Sequence, residues 1–86
     1  MNIVLSSSAE KDFRRLPSPI KKKAHKQLKF LITDASHPSL RLKKMPGREG
    51  VWEARIDYHW RMTFQKEGDT LIVRKLGPHD EGLGKK

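Results

Sequence analysis

The spacing of the hydrophobic residues changes once along the chain, and this change constrains the fold more than any other feature of the sequence. In the first half the apolar positions recur every three or four residues, as Ile20, Ala24 and Leu28 do, which is typical of an amphipathic helix. From Val51 onward apolar and polar residues alternate, which is typical of strands with one buried face. A chain that carries the two patterns in separate segments is expected to be an α+β protein.

The segment boundaries predict the element order β-α-α-β-β-β. The short apolar run Asn2–Leu5 predicts a strand, and Ser7 with Glu10 matches a capping box that starts the first helix. Pro17-Ser18-Pro19 ends this helix and starts a second one. Residues 70–76 supply the last strand. We expect the two N-terminal helices to pack on one face of an antiparallel sheet and to leave the other face open.

The length of 86 residues predicts a single domain over residues 1–86, with residues 82–86 as a frayed tail. Cysteine is absent, which excludes disulfides, thiolate metal sites and a cysteine nucleophile and fits a reducing cytoplasm. The start of the chain lacks the features of a signal peptide, and no apolar run approaches the roughly 20 residues of a membrane span. We therefore expect a cytoplasmic protein that does not bind membranes.

The net charge of +9 indicates a polyanionic partner. Eleven of the nineteen Lys and Arg residues lie in residues 1–47, together with only three of the ten acidic residues. The positions expected to contact nucleic-acid phosphates lie on the second helix, in the connecting segment and beside the second pair of strands: Lys22, Lys26, Arg41, Lys43, Lys44 and His59. The alternative is a solvated face that serves solubility alone.

The alternation in the second half places several basic residues on the sheet face that the helices leave open. If Trp60 and its alternate neighbours are buried, then Arg55, His59 and Arg61 must point the other way. In the last strand the alternation does not show which face is buried, because Arg74 would lie on one face and Lys75 on the other. Burying an arginine is costly. We therefore place Lys75 on the open face, and the tight turn that follows it, Gly77-Pro78-His79-Asp80, at the rim.

Arginine and lysine near a histidine suit the cleavage of RNA by its own 2′-hydroxyl. A base removes the hydroxyl proton, cations stabilise the charge that develops on phosphorus, and an acid protonates the departing 5′ oxygen. This route needs no metal ion or cofactor, and the four histidines lie on separate elements without a ligand-like spacing. Without a 2′-hydroxyl the route fails, so it implies RNA as the substrate. The alternative is that these residues are ordinary surface charges, with Arg61 paired to Glu53.

The sequence resembles the RelE/ParE superfamily of bacterial toxins over nearly its whole length. The resemblance lies in the element order and in four short segments: Leu40-Arg41-Leu42-Lys43, Val51-Trp52-Glu53-Ala54-Arg55, Trp60-Arg61, and the run from Leu76 to Glu81. Members of the RelE and YafQ type cleave messenger RNA in the ribosomal A site and are held inactive by a cognate antitoxin protein. The resemblance therefore implies an RNA endonuclease whose partners are an antitoxin, the ribosome and messenger RNA.

The same resemblance assigns roles to four positions. Arg61 matches an arginine that contacts the scissile phosphate, and His79 matches a catalytic histidine of YafQ-like toxins. Lys75 and Arg55 match basic residues of YafQ-like and RelE toxins respectively. The chain ends soon after His79 without the catalytic tyrosine of RelE, which leaves the general base open.

Two other functions stay open at the level of sequence. One is a ParE-like toxin that inhibits gyrase and has no nuclease activity, which the missing tyrosine favours. The other is a ribosome-binding or RNA-binding module without catalysis. Arg61, Lys75 and His79 on one face favour the nuclease over both.

Overall fold

The computed structural model of the protein describes residues 2–78, so the predicted site residue His79 and the predicted tail at residues 82–86 lie outside the described part. The elements in chain order are β1 (Asn2–Leu5), α1 (Ser7–Arg15), α2 (Ser18–Thr33), a short 3-10 helix (Pro38–Leu40), β2 (Lys43–Lys44), β3 (Val51–Arg55), β4 (Trp60–Glu67) and β5 (Thr70–Pro78). None of the helices in this part of the chain is long and apolar enough to cross a membrane.

The five strands form one sheet in the order β1-β5-β4-β3-β2. Neighbouring strands from β2 to β5 are antiparallel, whereas β1 pairs with β5 in parallel. This confirms the α+β class and the element order, and it adds the two-residue strand β2 to the predicted set. The parallel pair arises because the two helices carry the chain from one edge of the sheet to the other before the antiparallel strands return it to β1.

Polar side chains attach α1 to the sheet at two points, the N-cap and Asp12. The N-cap is Ser6, one residue earlier than predicted, and its Oγ accepts a hydrogen bond from the Ala9 amide at 3.1 Å. The same hydroxyl donates to the Arg74 carbonyl at 3.2 Å. Asp12 accepts a hydrogen bond from the Leu76 amide at 3.1 Å. Because β1 pairs with β5 only as far as Val73, α1 binds the remaining part of that edge.

The hydrophobic core lies between the helices and one face of the sheet. Trp52 and Trp60 are partly buried and pack against this core, as the alternation in the second half of the chain implies. Ala35, which continues the apolar spacing of Ile20, Ala24 and Leu28, is exposed because the helix ends at Thr33. The buried core residues are Ala9, Leu16, Ala24, Leu31, Leu40, Ala54, Ile56, Met62, Phe64, Leu71, Val73 and Leu76.

A β-bulge in β5 resolves the conflict of alternation in the last strand. Phe64 pairs with Val73, but Thr63 pairs with Lys75, so Arg74 is an extra residue with no opposite partner on β4. Val73 and Leu76 can therefore both be buried in the core, while Lys75 lies on the face opposite the helices, where we expected it. Beyond the bulge β5 continues to Pro78, so Gly77 and Pro78 are strand residues and not the tight turn that we predicted.

Candidate functional site

Two rows of residues cross the sheet face that the helices leave uncovered. The first, called here the central row, runs across β2 to β5 through Lys43, Glu53, Thr63 and Lys75. The second, called here the arginine row, runs through Arg55, Arg61 and Gly77. Lys75 is the diagonal neighbour of Arg61, since it lies opposite the residue two positions further along β4. The register therefore brings together Arg55, Arg61 and Lys75, three of the four catalytic candidates.

The guanidinium of Arg61 is fixed by the turn between β3 and β4. Its Nη1 donates to the carbonyl oxygens of Asp57 at 2.6 Å, Tyr58 at 3.1 Å and Trp60 at 3.0 Å. Within residues 2–78 the other guanidinium nitrogens, Nε and Nη2, make no hydrogen bond. Arg61 is thus held in place through one nitrogen, and the donors on its other two nitrogens remain for a phosphate to accept.

The electrostatic surroundings of Arg61 favour a bound anion. Burial lowers the pKa of the Arg61 guanidinium, the neighbouring positive charges of Arg55 and Arg41 lower it further, and Glu53 and Asp57 oppose them. Arginine nevertheless stays protonated at neutral pH, so it stabilises negative charge and does not transfer protons. An approaching phosphate would relieve the repulsion between these arginines.

Glu53 and Thr63 are buried, although the alternation had placed them on an open face. Their exposed fractions are 4% and 3%. The Glu53 carboxylate lies 3.7 Å from the Lys43 ammonium group, whose side chain is largely exposed. The Glu53 carboxylate therefore offsets part of the positive charge of this face. A charged residue at the centre of an apolar strand was the sequence signal for this position. The alternative that Glu53 pairs with Arg61 at the surface differs from the structure, in which its ion-pair partner is Lys43.

A cleft of about 560 Å³ opens between α2, the 3-10 helix and the turn that joins β3 to β4. Lys26 and Arg41, both expected to bind phosphate, line it together with Arg55. Gln27 links the elements that form this cleft. It is buried, and its Nε2 donates to the carbonyl oxygens of Arg55 at 2.8 Å and Ser39 at 3.2 Å. Sequence reasoning did not single out Gln27, although a polar residue on the apolar side of α2 was a usable signal.

The other predicted RNA-binding residues are dispersed. Lys43 is part of the central row, whereas Lys44 lies 5.9 Å from the ring centre of Trp52, at the core side of the sheet edge. Lys22 is exposed on α2 and does not line the cleft. His59 is exposed in the β3–β4 turn, with its ring centre 4.7 Å from that of Tyr58. No three His, Asp or Glu side chains in residues 2–78 lie close enough together to hold a metal ion.

Solved structures with this fold include toxins in complex with antitoxins. The structure of the Escherichia coli DinJ-YafQ toxin-antitoxin complex contains a chain with a TM-score of 0.79 and 18% identity, over 96% of this chain and 97% of that one. A YoeB/ParE toxin from Agrobacterium tumefaciens has a TM-score of 0.77 and 19% identity, over 92% and 99%. The RelB-RelE antitoxin-toxin complex of Methanococcus jannaschii gives 0.74 and 19%, over 90% and 91%. At these identities the likeness shows a shared fold.

Membership of a family follows from the sequence itself. The family model of the ParE-like toxin domain matches residues 18–81, which is most of the chain. The protein therefore belongs to the ParE-like toxin domain family, within the RelE/ParE toxin superfamily. Comparison with curated protein sequences finds no significant match.

Proposed function

We propose that this protein is the toxin of a toxin-antitoxin system and that it cleaves messenger RNA on the ribosome by attack of the RNA 2′-hydroxyl. The observation that carries the proposal is Arg61, which is partly buried, fixed through one nitrogen and surrounded by the charges of Arg55 and Arg41. A site of this kind stabilises an anion whose charge increases during the reaction, as it does when phosphorus becomes five-coordinate.

The remaining roles follow from the positions of the basic groups. Arg61 and Arg55 bind the non-bridging oxygens of the scissile phosphate, and Lys75 stabilises charge from the neighbouring strand. His79 directly follows Pro78, which pairs with Trp60 beside Arg61, and it serves as general acid or base. The resemblance to YafQ-like toxins supports this assignment.

The proposed partners follow from the charge of the surface. The ribosome and messenger RNA offer phosphates to the basic residues, and their attraction falls as salt is added. The cognate antitoxin is acidic where it covers the arginine row, because opposite charge both speeds association and neutralises the site. Toxins of this fold have been solved in complex with antitoxins, which supports such a partner for this chain. All of these partners work in the cytoplasm.

A second candidate function is gyrase inhibition without nuclease activity, which the match to the ParE-like family model favours. The two functions make opposite demands on the open sheet face. A nuclease needs Arg61 for chemistry, whereas an inhibitor needs only a surface that binds gyrase.

The two functions are separated by translating a reporter messenger with purified ribosomes and purified protein. We expect cuts at a fixed position within codons, with 2′,3′-cyclic phosphate ends, and we expect Arg61→Ala to reduce the cleavage rate by at least about a hundredfold. Arg14→Ala removes the same charge from an exposed position on α1 and should cut at the normal rate. Intact messenger together with DNA breaks in a gyrase assay would refute the nuclease and support inhibition.

A further inference from the structure

The cleft between α2, the 3-10 helix and the β3–β4 turn has a composition that the cleavage reaction alone does not explain. It is called here the α2 cleft. Its volume of about 560 Å³ lies within the range of small-molecule sites, which is roughly 300–1,000 Å³. Besides four basic side chains it contains three exposed or partly exposed aromatic groups, Phe30, His37 and Tyr58. Basic and planar groups around one concave surface are the chemistry that recognises a nucleotide.

The α2 cleft carries an unbalanced positive charge. Its single carboxylate, Asp57, lies 3.0 Å from the Lys23 ammonium group at the rim, so this pair is close to neutral. Lys26, Arg41 and Arg55 also line the cleft, and within residues 2–78 none of them forms an ion pair. Three uncompensated cations in one concave surface attract an anion more strongly than the same charges on a convex face.

The backbone at Arg41 adds an independent argument. Arg41 has φ 47° and ψ 47°, in the left-handed region. It is the only residue other than glycine with positive φ in residues 2–78, where Gly47, Gly50 and Gly68 hold the other such positions. A side chain in this region costs about 1 kcal/mol that glycine would not, and such strain is concentrated at functional sites. This conformation marks the Arg41 side chain as a candidate for a functional role.

An exposed aromatic ring stands at the edge of the cleft beside these cations. Tyr58 is 69% exposed, a high value for a large aromatic residue, and its ring centre lies 5.8 Å from the guanidinium carbon of Arg55. On another wall Phe30 and His37 are stacked, with ring centres 3.8 Å apart. An exposed ring next to an arginine is the arrangement with which single-stranded nucleic acids stack their bases.

We infer that the α2 cleft binds one nucleotide of the RNA strand next to the scissile phosphate, with the base against Tyr58 and the phosphate on Arg41 and Lys26. This rests on the proposed function, since it takes RNA as the substrate. Arg55 joins the two sites, because it lines the cleft and pairs with Arg61 on the sheet. The cleft would thus fix the direction in which the strand leaves the cleavage site.

An acidic peptide is the other anionic partner that fits the charge, and the aromatic groups decide against it. Carboxylates need only the cations, whereas Tyr58 and the stacked Phe30 and His37 rings offer surfaces that match a planar base.

The test is direct binding, separate from cleavage. The full chain is titrated by NMR with a 5′-phosphorylated RNA dinucleotide, with inorganic phosphate and with a polyglutamate peptide, and shifts are followed at the amides of residues 39–41 and 55–58. We expect Tyr58→Ala to weaken dinucleotide binding by about fivefold to a hundredfold, as the loss of one stacked base does, and to leave phosphate binding unchanged. Tyr58→Phe should bind the dinucleotide as tightly as the wild type does.

The controls address charge and folding. Arg41→Gly should weaken the binding of both the dinucleotide and inorganic phosphate, because glycine keeps the backbone conformation and removes only the cation. Arg48→Gly removes the same charge from an exposed position outside the cleft and should change neither. A polyglutamate affinity equal to that of the dinucleotide, or a Tyr58→Ala variant that binds the dinucleotide normally, would overturn the inference.

Failure of the inference and failure of the proposed function give different results. If the dinucleotide binds through Tyr58 and Arg41 but no messenger is cut, the nucleotide site stands and the nuclease does not. If messenger is cut normally by the Tyr58→Ala and Arg41→Gly variants, the nuclease stands and the second site does not.

Discussion

Replacing Gln27 by leucine should destabilise the protein far more than a typical polar substitution. Leucine has a similar size and suits the helix, so the change removes mainly hydrogen bonds. Gln27 is 5% exposed and its amide connects three elements, because it lies on α2 and donates to carbonyl groups of the 3-10 helix and of β3. The variant therefore isolates the contribution of one buried amide.

The size of the effect follows from the two carbonyl groups that lose their donor. The Arg55 carbonyl accepts at 2.8 Å beneath the cleft wall, and leaving such a group unsatisfied costs about 1–3 kcal/mol. Ser39 is exposed, so water can replace the donor there and the loss is that of an ordinary hydrogen bond, about 0.5–1.5 kcal/mol. We expect a total loss of about 2–4 kcal/mol, or roughly 10–25 °C in melting temperature for a domain of this size.

The assay is urea unfolding monitored by circular dichroism. The free energies of unfolding of wild type and variant are compared with the same dependence on urea concentration for both. Gln65→Leu is the matched control, because Gln65 lies on the open sheet face and its side chain makes no hydrogen bond within residues 2–78. The control should change the free energy of unfolding by less than about 0.5 kcal/mol. A Gln27→Leu variant as stable as the control would show that the amide bonds carry no net stability and would refute the reasoning.

Two further variants test the electrostatics and the backbone around the cleft. Arg41→Gly should raise the free energy of unfolding by up to about 1 kcal/mol, since glycine adopts positive φ without strain; a urea titration that shows a clear loss instead would mean that the side chain holds the fold. The hydrogen bond from Lys23, followed by that from the Tyr58 amide, lowers the pKa of Asp57. Its ionised form therefore stabilises the fold above about pH 4, and this contribution disappears as the pH falls through the folded-state pKa. Wild type and Asp57→Asn should differ in stability at neutral pH and converge in acid, and a gap that is constant with pH would contradict this.

The fold was predictable because each element carries its own pattern. The 3.6-residue period of α2 and the strict alternation of β4 each specify a local structure and one buried face, and the proline pair around Ser18 marks the boundary between the helices. The parallel contact of β1 was not predictable in this way, because the direction of an edge strand is decided by the path of the whole chain. The position of the N-cap was predicted one residue too late, at Ser7 instead of Ser6. Three consecutive serines offer almost equal caps, so the local sequence does not distinguish between them.

The candidate site was predictable in part. Alternation placed Arg55, Arg61 and Lys75 on one face, and the register brings all three together. Alternation could not show that Glu53 is buried, because it predicts the face on which a side chain lies and not how far neighbouring residues cover it. Tyr58 was missed because a single aromatic residue in a turn has no periodic partner to mark it.

The bulge at Arg74 also bears on how distant relatives of this protein should be aligned. Every position after Arg74 keeps its face of the sheet only because one additional residue interrupts the strand. A relative whose β5 has no bulge would have one residue fewer at this point. If it were aligned without a gap, a core residue of the relative would be matched to Lys75 and an open-face residue to Leu76. Among relatives that share less than a fifth of their residues, equivalence near the end of this chain must be assigned from strand pairing.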